Sequence, residues 1–254
     1  GNYWSRAFED LVPKFDDNMV WAFHYYSWMV NAPVSKNTIQ YLIDLRKNTN
    51  TPLWLGETGE NSNEWFVQLR TLIEQNNIGW AWWNYKKIGT INAPVSSPTD
   101  PVYQEILNYW GGSGSKPNFD RSLLGLNNMV ENLKFENCDL RKDVVASLLS
   151  KDFQAKGIPY KSHSIPGKVE FVDYDLGSLG VAYYDRDFID DRSDGGSYKA
   201  WNKGYRYRND GVDIEVGGDE FYVSHTESGE FLKYTVNVIT VSYTHLTLPT
   251  TDRV

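Results

Sequence analysis

Three short apolar runs, each ending in polar residues and separated from the next by a helix-spaced segment, constrain the fold of this chain most. The first is Met19-Val20-Trp21-Ala22-Phe23-His24. Ser35 then sits at a cap position before Ile39, Leu42, Ile43 and Leu45, which recur at three- and four-residue spacing. The second run, Pro52-Leu53-Trp54-Leu55-Gly56, ends at Glu57. Asn61 and Glu64 have capping-box spacing ahead of a helix face of Trp65, Leu69, Leu72 and Ile73. The third run is Ile78-Gly79-Trp80-Ala81-Trp82-Trp83, and Asp100-Pro101 marks a further helix start. Continuous apolar strands alternating with amphipathic helices imply βα units and a parallel sheet. Three units are too few for a closed eight-unit barrel, which takes about 250 residues. The chain also lacks an initiator Met. The expectation is therefore an α/β domain, either a small open sheet or a chain that begins partway through a barrel, the missing Met favouring the second.

Downstream, Gly111-Gly-Ser-Gly-Ser-Lys-Pro-Asn118 has linker composition. Leu123, Leu126, Val130 and Leu133 then follow with helical spacing, so 111–118 reads as a surface loop and 119–150 as helices packed on the first domain. The boundary is expected near 155–166, giving a first domain over 1–160. Beyond Pro166, short segments alternate with Gly, Asp and Asn turns: Lys168–Tyr174, Gly180–Tyr184, Gly211–Glu215, Glu220–Val223 and Glu230–Val238. That pattern predicts an all-β sandwich or jelly-roll module over 161–240. Residues 241–254 resemble a translated sequencing adapter and are expected to be a non-native tail that truncates the module.

The chain carries 33 acidic against 25 basic residues, a net charge of −8, with no basic tract, which argues against nucleic acid. No apolar run approaches the ~18 residues of a membrane span. The first residues carry neither the basic nor the apolar region of a signal peptide, which suits an internal fragment. One cysteine, Cys138, excludes an intrachain disulfide and reads as a small buried hydrophobe. Ten Trp and 17 Tyr bring the aromatic content to 15%, and stiff amphipathic rings suit the flat C–H faces of sugars as well as an ordinary core.

In a barrel of parallel strands, side chains just past the strand C-termini form the active site. Here those ends deliver His24 and Tyr26, then Glu57, then Trp83 with Asn84. Glycosidic cleavage needs two carboxyl groups, one protonating the leaving oxygen and one acting at the anomeric carbon. Nucleophilic attack needs an ionised carboxylate held by hydrogen bonds, a role open to Tyr26 toward Glu57.

The segments Asn18–Tyr26, Trp54-Leu-Gly-Glu57-Thr-Gly and Gly79–Lys86 resemble the last three strands of glycoside hydrolase family 5, over roughly residues 1–150. That resemblance implies a TIM barrel cleaving β-linked glycans with retention. It makes Glu57 the nucleophile, His24 and Tyr26 the residues that position it and the acid, and Trp83 a sugar platform, with Asn84 beside it. The family's general acid/base, a glutamate in an Asn-Glu-Pro-type motif, has no counterpart here. Asn63-Glu64-Trp65 shares two letters but reads as a helix start. Without that acid the fragment is expected to be inactive alone, because acid catalysis contributes about 10²–10⁴-fold.

The second region, in Ile165–Asp175, Gly180–Asp185, Tyr207–Glu215 and Gly229–Val236, resembles carbohydrate-binding module family 6. The resemblance implies a sugar clamp with Tyr207 on one side and His225 standing where a tryptophan is usual. Val172 occupies the position of a calcium-site glutamate and offers no hard oxygen, which argues against calcium. His163, His225 and His245 lack metal-ligand spacing, so no zinc site is proposed. Asp185, Asp187, Asp190, Asp191 and Asp194 read as a solvated acidic loop. Trp28 and Trp201 are further stacking candidates, Trp28 for substrate.

The expected protein is therefore a cellulase-like retaining endo-β-glycanase, monomeric, needing no cofactor. It would act on β-linked polysaccharide outside the cytoplasm: extracellular, periplasmic or at the cell surface. The alternative is a non-catalytic polysaccharide-binding protein.

Overall fold

A computed structural model describes residues 8, 14–27, 34–186, 188, 202 and 207–239. Trp28, Trp201, His245, the aspartates 187, 190, 191 and 194, and the tail 241–254 lie outside the described residues. The first apolar run forms β1 (Trp21–Tyr25), followed by helix α1 (Lys36–Thr49), β2 (Leu53–Thr58), α2 (Asn63–Gln75) and the two-residue β3 (Gly79–Trp80). The three strands lie parallel in the order β1-β2-β3, as the βα pattern predicts.

One face of this sheet is buried. Trp21, Phe23, Tyr25, Leu53 and Leu55 pack there against Ile39, Leu42 and Ile43 of α1 and Trp65, Phe66, Leu69 and Ile73 of α2. The other face is the more open one among the described residues, with Trp54 at 41% exposure. The α2 cap differs from the expected box. Ser62, not Asn61, accepts the Trp65 N–H, at 3.2 Å, while the Glu64 carboxylate turns outward to Gln68 and to the Leu179 N–H. All of Asn61-Ser62-Asn63 can cap, and spacing alone does not rank them.

A second small sheet joins β4 (Lys86–Ile88), β5 (Val95–Ser97) and β6 (Asp139–Leu140). Between β5 and β6 run α3 (Pro101–Trp110) and α4 (Phe119–Asn132), with α5 (Lys142–Leu149) after β6. Asp100 caps α3 by accepting the Tyr103 N–H at 2.7 Å, with Pro101 in the first turn. The apolar stripe expected to pack α4 does not do so: Leu123, Leu126, Val130 and Leu133 are exposed. The helix packs on α3 through Gly125 and Met129 instead. A Cβ at Gly125 would sit 2.9 Å from the Tyr103 nitrogen, so the lack of a side chain sets the close approach. Cys138 is partly exposed rather than buried, with its thiol against the carbonyls of Asn132 and Lys134.

From residue 160 the described chain forms three separate two-stranded pairs. They are β7 (His163–Ile165) with β12 (Val236–Val238), β8 (Tyr183–Tyr184) with β11 (Phe231–Leu232), and the hairpin β9 (Ile214–Gly217) with β10 (Glu220–Val223). Lys168–Tyr174 is not the expected strand; it holds a 3₁₀ turn at Phe171–Asp173. Residues 172–178 are all buried, a run incompatible with period-two alternation. His163, which falls in β7, is a satisfied core histidine 3.2 Å from the Asp173 carbonyl. A small cluster of Val67, Phe153 and Leu176 ties α2 to this second region. No helix among the described residues is long and apolar enough to cross a membrane.

Candidate functional site

The site begins with a slip in strand register. In β2, Leu53 and Leu55 enter the core and Trp54 does not, so strict alternation would send Glu57 inward. Phe23 pairs with Leu55, but His24 pairs with Glu57, which leaves Gly56 as an extra residue. The bulge resets the alternation. Thr58 goes into the core, fully buried, and its hydroxyl donates to the Tyr25 carbonyl. Glu57 stays on the open face beside His24. Gly56 shares that face: a Cβ there would lie 3.8 Å from both Ala22 and His24.

The Tyr26 phenol, one residue past β1, donates to Glu57 Oε1 at 2.7 Å. His24 Nδ1 lies 3.7 Å from Oε2, beyond a good hydrogen bond but beside the carboxylate. The Glu57 and His24 side chains are 29% and 20% exposed, so the carboxylate is held yet reachable.

Trp83 approaches from the third strand. Gly59 and Trp83 form a parallel bridge, and the Trp83 N–H donates to the Thr58 carbonyl at 2.6 Å. Gly59 has φ +143°, and a Cβ on it would fall 1.9 Å from the Trp83 carbonyl oxygen, so glycine is required for this contact. The Trp83 ring is 46% exposed. Its peptide bond to Asn84 is cis, and the half-buried Asn84 Oδ1 has no hydrogen-bond partner among the described residues. The structure thus gathers His24, Tyr26 and Glu57 into direct contact and ties Trp83 to the same strand end; Trp28 falls outside the described residues. Glu60, three residues on, is bound to Lys87 at 2.8 Å, a neighbour that sequence spacing did not reveal.

The two candidates in the second region are engaged with protein. The Tyr207 hydroxyl donates to Asp173 and accepts from Lys161, its carbonyl accepts from Arg141, and its ring packs on Phe221 with a centroid distance of 4.8 Å. Burial, followed by the bond to Asp173, pushes its phenol up to about 12. It lines a cleft of about 490 Å³ with Tyr160, Phe221, Arg141 and the Gly89–Ile91 loop, and His225 is not among the lining residues. His225 is exposed and pairs with Glu215 at 2.7 Å, a contact that holds the Glu215 carboxyl below its usual value. Val172 is buried in a cluster with Tyr174, Ala182 and Ile214. No group of three or more His, Cys, Asp or Glu placed to hold a metal occurs among the described residues. Compared with known proteins, the chain matches no family model, no curated protein and no solved structure.

Proposed function

We propose that this chain is part of a retaining endo-β-glycanase of the glycoside hydrolase family 5 type, with Glu57 as nucleophile. The observation that carries the reading is the Tyr26–Glu57–His24 arrangement: a partly exposed carboxylate with one oxygen fixed by a phenol and the other toward an imidazole. In this reading the three parallel strands are the last three of a barrel, and their open face is its interior. Glu57 attacks the anomeric carbon as the C–O bond to the leaving sugar breaks and a second carboxyl group protonates the departing oxygen. Water, deprotonated by that second group, then displaces Glu57 and releases the sugar with its configuration retained. Tyr26 holds the carboxylate aimed. The exposed Trp83 ring offers a stacking surface for the sugar bound at the cut. The second carboxyl lies in a segment N-terminal to these strands, and the substrate is a β-linked polysaccharide met outside the cytoplasm.

The test is a chain extended upstream to include that second carboxyl, assayed for new reducing ends on a panel of soluble β-glycans, with Glu57→Ala beside it. The expected result is hydrolysis of at least one glycan, falling by roughly three orders of magnitude in the variant. If both proteins are silent on every glycan yet retained by one of them, the protein only binds polysaccharide.

A further inference from the structure

A buried polar network connects the second region to the corner that follows Glu57. Asn209 is fully buried. Its side-chain amide donates to the Asn61 carbonyl and to Asn63 Oδ1, both at 2.9 Å, and its own carbonyl accepts the Asn63 N–H at 2.8 Å. Asp143, at the start of α5, joins both partners. Its Oδ2 accepts the Asn209 N–H at 2.7 Å and the Asn63 side-chain amide at 3.1 Å. Asn61 in turn donates to the Ser27 hydroxyl, and Ser27 directly follows Tyr26. Asn61 also fixes the helix start by accepting the Ser62 N–H at 2.7 Å.

The chain of contacts therefore runs from Asn209, through Asn61 and Ser27, to the residue that grips the nucleophile. It reaches both strands of the site, because Asn61 lies four residues past Glu57 and Ser27 one past Tyr26. Asn61, Asn63, Asp143 and Asn209 are each at most 2% exposed, so solvent does not substitute for these bonds. We propose that Asn209 is a positioning residue: the second region sets the Tyr26–Glu57 geometry instead of serving only as an appended module. This rests on the reading of Glu57 as nucleophile for its catalytic consequence, but not for the coupling itself.

The coupling is read by placing 3-fluorotyrosine at Tyr26 and following its ¹⁹F resonance, with Glu57→Gln as the reference for a lost carboxylate contact. In Asn209→Ala the resonance is expected to move at least half as far as in that reference. Ser27→Ala breaks only the last link, leaves the Asn209 network intact, and is expected to move the resonance in the same sense; it serves if Asn209→Ala does not fold. A resonance unmoved in a folded variant overturns the proposal, even where its melting temperature drops.

The catalytic consequence is read with the upstream-extended chain and 2,4-dinitrophenyl 2-deoxy-2-fluoro-β-cellobioside, whose leaving group needs no acid. The maximal rate of covalent trapping is expected to fall about 10–100-fold in Asn209→Ala with little change in the half-saturating concentration. An unchanged rate beside a lowered melting temperature makes Asn209 merely structural. If the unsubstituted protein hydrolyses cellobiosides yet Glu57 is never trapped while the ¹⁹F shift appears, the coupling stands and the nucleophile reading fails.

Discussion

Glu57 and Asp210 each accept a tyrosine hydroxyl at nearly the same distance, 2.7 Å from Tyr26 and 2.6 Å from Tyr174, yet the two sites are built for opposite ends. Asp210 is 2% exposed, has Arg208 Nε at 3.0 Å from its other oxygen, and also accepts the Val212 N–H. Burial pushes its carboxyl up, against the pull of Arg208 and Tyr174. Glu57 has the same phenol but an imidazole at 3.7 Å in place of a guanidinium, and its side chain is 29% exposed. The two sites differ in access: a phenol–carboxylate bond is common to both, and only the Glu57 carboxylate is within reach of solvent.

Substitutions at matched positions sharpen the contrast. The largest effect is expected for Glu57→Gln. Hydrolysis by the upstream-extended chain should fall by roughly 10³-fold or more, with a melting temperature close to that of the unsubstituted protein. Asp210→Ala should do the reverse, costing about 3–5 kcal/mol of stability because it strands the buried Arg208 charge; denaturant unfolding checks this, and a loss matching an exposed-site substitution would dissolve the contrast. Next come the phenols. Tyr174→Phe removes a buried donor and should cost about 1–3 kcal/mol. Tyr26→Phe should change stability by less than about 1 kcal/mol while slowing the reaction. Equal destabilisation by the two would mean that Tyr26 is a structural residue like Tyr174.

The smallest effect is one of pH. Burial raises the phenols of Tyr207 and Tyr234 from 10.0 to about 12. A folded-state value above the unfolded one means the folded protein holds these protons more tightly. The stabilisation is therefore complete below pH 10 and lost as pH rises from 10 to 12. Ultraviolet titration of tyrosinate, followed beside unfolding, should show Tyr207→Phe flattening that alkaline decline.

Much of the first region was legible in the sequence because its signals are local. Apolar runs at 19–24 and 52–56 mark β1 and β2, and Asp100-Pro101 marks the start of α3. The strand-end rule alone brings His24, Tyr26 and Glu57 to one place. What stayed hidden depends on contacts that no window contains. The slip at Gly56 decides that Glu57 faces outward, yet Leu-Gly-Glu-Thr carries no sign of which residue goes unpaired. Helical spacing of Leu123, Leu126, Val130 and Leu133 predicts a packed face, whereas Gly125 and Met129 make the contact, because spacing finds a face but not its partner. In the second region the sequence suggests short strands between turns, but the buried run 172–178 is held by bonds to distant chain such as Lys233 and Ile158. Asn209 gave no signal at all, since its partners Asn61 and Asn63 lie 148 and 146 residues away.

The most direct test of the account traps the glycosyl–enzyme. The upstream-extended chain is incubated with 2,4-dinitrophenyl 2-deoxy-2-fluoro-β-cellobioside, digested, and its peptides are mapped by mass spectrometry. The account requires one added fluorosugar, on Glu57, and none in Glu57→Gln. A label on any other carboxylate, or continuing hydrolysis of a β-glycan with Glu57 never labelled, would contradict it.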